Sequence, residues 1–141
     1  MSRVKSVRQL GATARSTAPA VDRDPATVYR IVAQSSGTGT GPGRFVETLD
    51  YILSYDLINF AGSAAIASAD GSEMFLDFEG QIPGFSDQVF PLPYSGTFDL
   101  TGGTGRFYGV EGSGVLDGID YGGGLFRLGF SGYRTVVAKN K

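Results

Sequence analysis

The sequence predicts an all-β fold: seven to eight antiparallel strands closing into a barrel, with glycine-rich turns. Three observations carry that expectation. Residues 44–53, 73–79 and 94–100 alternate between apolar and polar side chains, the period of a half-buried strand. The chain holds 22 glycines beside ten Phe and seven Tyr, with glycine at roughly twice its usual share and no G-x-y period. The stretch DLTGGTGRFYGVEGSG at 99–114 joins two alternating runs. It reads as a tight corner that tucks an aromatic side chain back into a core.

Length and composition bound the rest. A chain of 141 residues that is 41% hydrophobic suits one domain with one core. The expected division is a flexible tail or lid over 1–25 and a single β-barrel domain over 26–138. Cysteine and histidine are both absent. That removes disulfides, the usual zinc sites and any histidine-based triad or general base. No D-x-D-x-D-G loop is present, so neither a cofactor nor a metal is expected.

Charge is unevenly spread. Residues 1–21 carry Arg3, Lys5, Arg8 and Arg15 with no acid. Residues 26–138 carry five basic and twelve acidic side chains, a net −7. Such a body is a poor nucleic-acid surface. No apolar run is long enough to span a membrane as a helix. The first residues lack the apolar stretch of a secretory signal, so the expected location is cytoplasmic. An Arg/Ser/Ala-rich leader without acids also has some of the look of a transit peptide.

In order along the chain, Val4–Leu10 suggests a short helical turn within the tail. Residues 26–36 begin the body, with Tyr29, Ile31 and Ala33 on one face. The run GTGTGPG at 37–43 marks a bend or the start of a loop. It lacks the Lys-Ser/Thr of a phosphate loop. In the next strand Phe45, Glu47, Leu49 and Tyr51 share a face. Residues 56–62 read as a connection and 63–68 as a short strand. Asp70-Gly71 signals a hairpin. Met74, Leu76 and Phe78 then oppose Phe75, Asp77 and Glu79, which places both acids in solvent. Residues 80–93 form an irregular piece rich in apolar side chains, a fold-back, a subunit contact or the rim of a ligand mouth. The last strands cover 94–100, 115–121 and 125–137.

The candidate catalytic residues are Glu47, Tyr51, Tyr94 and Arg134. Glu47 shares a face with Phe45 and Leu49, and Arg134 shares the parity of Phe126, Leu128 and Phe130. If both faces look inward, both charges are buried and must be paired or neutralised. A Glu–Arg pair near tyrosine hydroxyls would polarise a carbonyl or hold an enolate. The alternative is structural: Glu47 in solvent with Val46 and Ile52 inside, Arg134 on a rim carbonyl, and Tyr94 as ordinary packing. Arg106 is read as stacking or capping a loop carbonyl while Phe107 anchors the corner.

The segments GTGTGPGRF (37–45), ADGSEMFLDFEG (69–80) and YSGTFDLTGGTGRFYGVEGSGVLDG (94–118) together resemble the allene oxide cyclase-like and dirigent-like class of small barrels. The resemblance covers about residues 28–137 and is most specific in TGGTGRFYGVEGSG (101–114). It implies a calycin-like barrel with an apolar cavity, often in homodimers or homotrimers. Known enzymatic members perform cyclisations without a redox cofactor. No active-site motif of theirs maps onto this chain.

The leading expectation is a cofactor-independent cyclase or isomerase that shapes a hydrophobic intermediate of secondary metabolism, a polyketide- or terpene-like molecule undergoing pericyclic or spiro-forming closure. The alternatives are a non-catalytic barrel that binds a hydrophobic ligand, and a structural, oligomerising barrel with a filled core. A cavity above about 300 Å³ would separate the first two from the third.

Overall fold

A computed structural model describes residues 3–16, 20–24, 28–54, 58–87, 89–122 and 125–139. The body is a meander of seven strands: β3 (Val28–Gly39), β4 (Gly43–Leu53), β5 (Asn59–Ser68), β6 (Glu73–Gln81), β7 (Leu92–Gly103), β8 (Glu111–Gly122) and β9 (Leu125–Lys139). Each pairs antiparallel with the next. Two further strands precede them, β1 (Arg3–Ser16) and β2 (Ala20–Asp24). The order across the sheet is β1-β9-β8-β7-β6-β5-β4-β3-β2.

The expected closed eight-stranded barrel is not what the body makes. It is an open, strongly curled sheet of seven strands, a half-barrel whose edges stand 9 Å apart. Neighbouring strands lie about 4.8 Å apart, so β3 and β9 are too distant to hydrogen-bond to one another. β1 runs in that seam. It pairs with β9 from Arg3 to Ser16 and with β3 only through Ala12–Arg15. The segment read as a tail or lid, with a helical turn at 4–10, thus contributes β1 and β2.

The curl follows from side-chain size on the inner face. Gly80 faces Gly96 across β6 and β7, and Gly114 faces Gly132 across β8 and β9. A Cβ on Gly96 would strike the Glu79 carbonyl, and one on Gly114 would strike the Ser131 carbonyl. Only glycine permits so close a backbone approach at these crossings.

The alternation seen in the sequence is the alternation of burial. Along β4, Phe45, Glu47, Leu49 and Leu53 are buried while Arg44, Val46, Thr48 and Ile52 are exposed. That removes the reading with Val46 and Ile52 inside. Along β6, Met74, Leu76 and Phe78 are buried and Asp77 and Glu79 are exposed. The core continues through Ile66, Phe98, Leu116 and Phe130. Phe98 and Phe130 meet edge to face at 5.3 Å.

The sheet has two unlike ends. At one, a 3-10 turn at Gly105–Phe107 forms the glycine corner. Arg106 donates from Nε to Asp70 at 2.9 Å and from Nη1 and Nη2 to the Gly41 and Pro42 carbonyls at 3.0 and 3.2 Å. Its guanidinium lies 4.3 Å over the Phe107 ring, and Phe107 is 1% exposed. Arg106 therefore caps loop carbonyls and stacks, and Phe107 anchors the corner. Three turns are tied together there. At the other end, Ile82 and Leu92 fold back into the core while Phe85 and Phe90 between them lie against it. No helix among the described residues is long and apolar enough to cross a membrane.

Candidate functional site

The end carrying residues 82–92 opens into a cavity of about 220 Å³. Leu49 and Leu116, both almost fully buried, form its floor. Its walls are aromatic: Tyr51, Phe60, Phe78 and Tyr94 from four strands, Phe126 from β9, and Phe85 and Phe90 from the folded-back loop. Tyr51 meets Phe60 at 6.2 Å and Phe78 at 5.9 Å, and Phe60 meets Tyr94 at 6.0 Å, all edge to face. The loop over 80–93 therefore folds back through Ile82 and Leu92 and lines the cavity rim through Phe85 and Phe90. The volume falls below the roughly 300 Å³ that would separate a ligand cavity from a filled core. Size alone therefore does not decide against the structural alternative, and the case for a guest rests on the aromatic lining. The space suits one or two fused rings, with any remainder projecting from the mouth.

Two of the four candidate residues reach this cavity. Tyr51 and Tyr94 line it, and burial pushes both phenols above their ordinary range, with the Asp120 charge adding to the effect. Both stay neutral hydroxyls under ordinary conditions. The Tyr94 hydroxyl reaches across β8 and donates to the Arg127 carbonyl at 2.6 Å. It passes over Gly118, where any Cβ would collide with the phenol.

Glu47 and Arg134 do not line the cavity. Both are interior, as the parity argument expected, but each has its own surroundings. Glu47 is fully buried one inward position below Leu49 on β4. Ser35 donates to its Oε2 at 3.3 Å, and its Oε1 has no hydrogen-bond partner among the described residues. Burial pushes its carboxyl up to about 8, partly offset by the Ser35 bond, so it carries its proton at neutral pH. Arg134 lies with its guanidinium 5.5 Å from the Phe107 ring. A Cβ on Gly41 would come within 2.9 Å of that guanidinium. Its setting is the clamped end of the sheet, not the open one.

One cavity group escaped the sequence reading. Asp120 lines the mouth, with Oδ1 accepting the Gly122 N–H at 2.8 Å. The signal was present as parity, since positions 116, 118 and 120 share the inward face of Leu116. Among the described residues no group of three or more acidic side chains is placed to hold a metal ion.

No protein-family model matches the sequence, and no curated protein matches it. Among solved structures, that of the pterocarpan synthase dirigent protein GePTS1 superposes with a TM-score of 0.65 at 11% identity, covering 100% of this chain and 91% of that one. The expected cytoplasmic location does not stand beside that match. The matched structure is that of a dirigent protein, and a missing apolar stretch does not assign this chain to the cytoplasm. The resemblance read from 37–45, 69–80 and 94–118 holds at the level of architecture: this chain has the dirigent/calycin-type fold, a small curled antiparallel sheet around an apolar cavity.

Proposed function

We propose that this protein binds a small, flat, largely apolar molecule in the mouth of its curled sheet and holds it in a fixed orientation. The observation that carries this reading is the aromatic cavity of about 220 Å³. An apolar cavity walled by Phe and Tyr is costly to leave open to water unless something fills it. The edge-to-face rings present both edges and faces to a guest, which favours an aromatic one. The homodimer or homotrimer implied by the resemblance remains part of this proposal, and the outward side chains Val32, Val46 and Ile52 are ones it would cover.

The test is titration with the neutral fluorophore N-phenyl-1-naphthylamine. Saturable, one-to-one enhancement is expected, lost by about tenfold or more when Ile31→Trp fills the mouth, the order of one large apolar contact. Enhancement that does not saturate, or that Ile31→Trp leaves unchanged, overturns the reading.

A second reading, cofactor-independent cyclisation of such a guest, is favoured by Tyr51 and Asp120 lining one apolar space. Confinement in a near-reactive shape, with one hydrogen bond from a neutral phenol, would supply the rate. Recovery of cognate guest unchanged after long incubation would leave orientation alone as the function.

A further inference from the structure

We infer that the guest of this cavity is an organic cation, an aromatic amine or ammonium seated with its charge beside Asp120. The inference rests on the ligand-binding reading above and adds the charge of the ligand. Asp120 is the charged side chain among the residues lining the cavity. Arg127, next to the mouth in sequence, alternates with inward Phe126 and Leu128 and is exposed. Arg30 is turned outward and engaged with Asp50 at 2.8 Å. Glu47 lies below the floor and is neutral near pH 7. Among the described residues, Asp120 is therefore the charged group that lines the mouth.

Three ligand classes can be compared on that basis. An anion would meet Asp120 with like charge in a space of lowered dielectric, which is unfavourable. A neutral apolar ring would strip solvent from the carboxylate and give nothing back, leaving a partly buried charge unpaired. A cation restores the balance. Asp120 keeps one oxygen on the Gly122 N–H, which fixes the carboxylate while its second oxygen serves the ligand.

The walls add to the same preference. Phe90 packs its ring within 3.1 Å of where a Gly122 Cβ would stand, so an aromatic ring sits beside the turn that Asp120 caps. Aromatic rings attract cations, and more strongly where water is excluded. A metal ion would need more oxygen ligands than one carboxylate supplies.

The experiment compares three probes of equal size by calorimetry near neutral pH: 2-naphthylmethylamine, 2-naphthylmethanol and 2-naphthoate. The amine is expected to bind about tenfold tighter than the alcohol, and the naphthoate weakest. Asp120→Asn keeps an oxygen for the Gly122 N–H and should erase the preference for amine over alcohol. If amine and alcohol bind equally well, or naphthoate binds best, the inference is overturned and the ligand-binding reading survives. If the amine preference persists in Asp120→Asn, the assignment to Asp120 is overturned. If no probe binds, the ligand-binding reading falls with it. The wild-type comparison needs no variant, so it decides the charge preference even if Asp120→Asn fails to fold.

Discussion

The two ends of this sheet are built from similar residues and do opposite work. At the clamped end one arginine, Arg106, joins Asp70 to two carbonyls of the β3–β4 turn and lies flat on Phe107. At the open end a carboxylate, Asp120, stands among aromatic rings with no arginine beside it in the cavity wall among the described residues. Charge and ring are combined in both places. At the clamped end the charges are matched and the ring is sealed, so nothing is left to bind. At the open end no cation among the described residues lines the cavity with that charge, and the rings face the cavity. The cavity in this fold is what remains when the inward residues at one end are not closed over.

The sharpest way to break that comparison is to remove the anchor of the clamped end. Phe107 is 1% exposed between two guanidiniums. Phe107→Ala should cost about 3–5 kcal/mol in denaturant unfolding, the range for a large side chain lost from a core. Binding of a neutral probe at the open end should persist in whatever fraction stays folded. A loss below about 1 kcal/mol would show that the corner is not a core element.

The next effect is a gain. Glu47 sits between the two ends, fully buried, with no partner for one oxygen among the described residues. Its carboxyl is raised from 4.5 to about 8. Below pH 4.5 both folded and unfolded chains carry the proton, and the group costs nothing through ionisation. As pH rises from 4.5 to 8 the unfolded chain releases its proton while the folded one keeps it, so stability falls; above 8 the penalty is constant. At pH 7 the penalty is on the order of 3 kcal/mol. Glu47→Gln should therefore stabilise the protein at neutral pH, gain little near pH 4, and flatten the fall between. An unfolding curve that keeps its pH dependence in Glu47→Gln would mean the raised carboxyl is elsewhere.

Much of this architecture was legible, and the limits have physical causes. The strands at 44–53 and 73–79 could be read because one face of each is buried, and a single buried face imposes a period of two. The same rule placed Glu47 and Arg134 indoors. It could not say that they lie away from the cavity, because parity fixes a side of the sheet and not a depth along it. β1 was illegible for a different reason. Val4, Val7 and Leu10 recur every third residue, which argues for a helix, and pairing with β9 overrides that local spacing. Closure failed with it: the count of strands suggested a barrel, but whether β3 and β9 meet is a matter of long-range geometry. Asp120 shares the parity of Leu116, but parity does not mark which inward residue stands at a cavity.

The smallest effect concerns Tyr94, where the open end borrows a device of the clamped one. Its hydroxyl is held by the Arg127 carbonyl at 2.6 Å and lies over Gly118, much as Arg106 is held by turn carbonyls. A hydroxyl committed in this way positions its ring. Tyr94→Phe keeps the ring and removes one hydrogen bond to a carbonyl that water can reach, so it should cost about 0.5–1.5 kcal/mol in thermal unfolding. Affinity for a neutral naphthyl probe should change by less than about twofold, because the aromatic wall is intact. If Tyr94→Phe instead leaves stability untouched and abolishes binding or turnover of a guest, the hydroxyl belongs to the guest and not to β9. The open end would then have no counterpart of the carbonyl capping that Arg106 provides at the other.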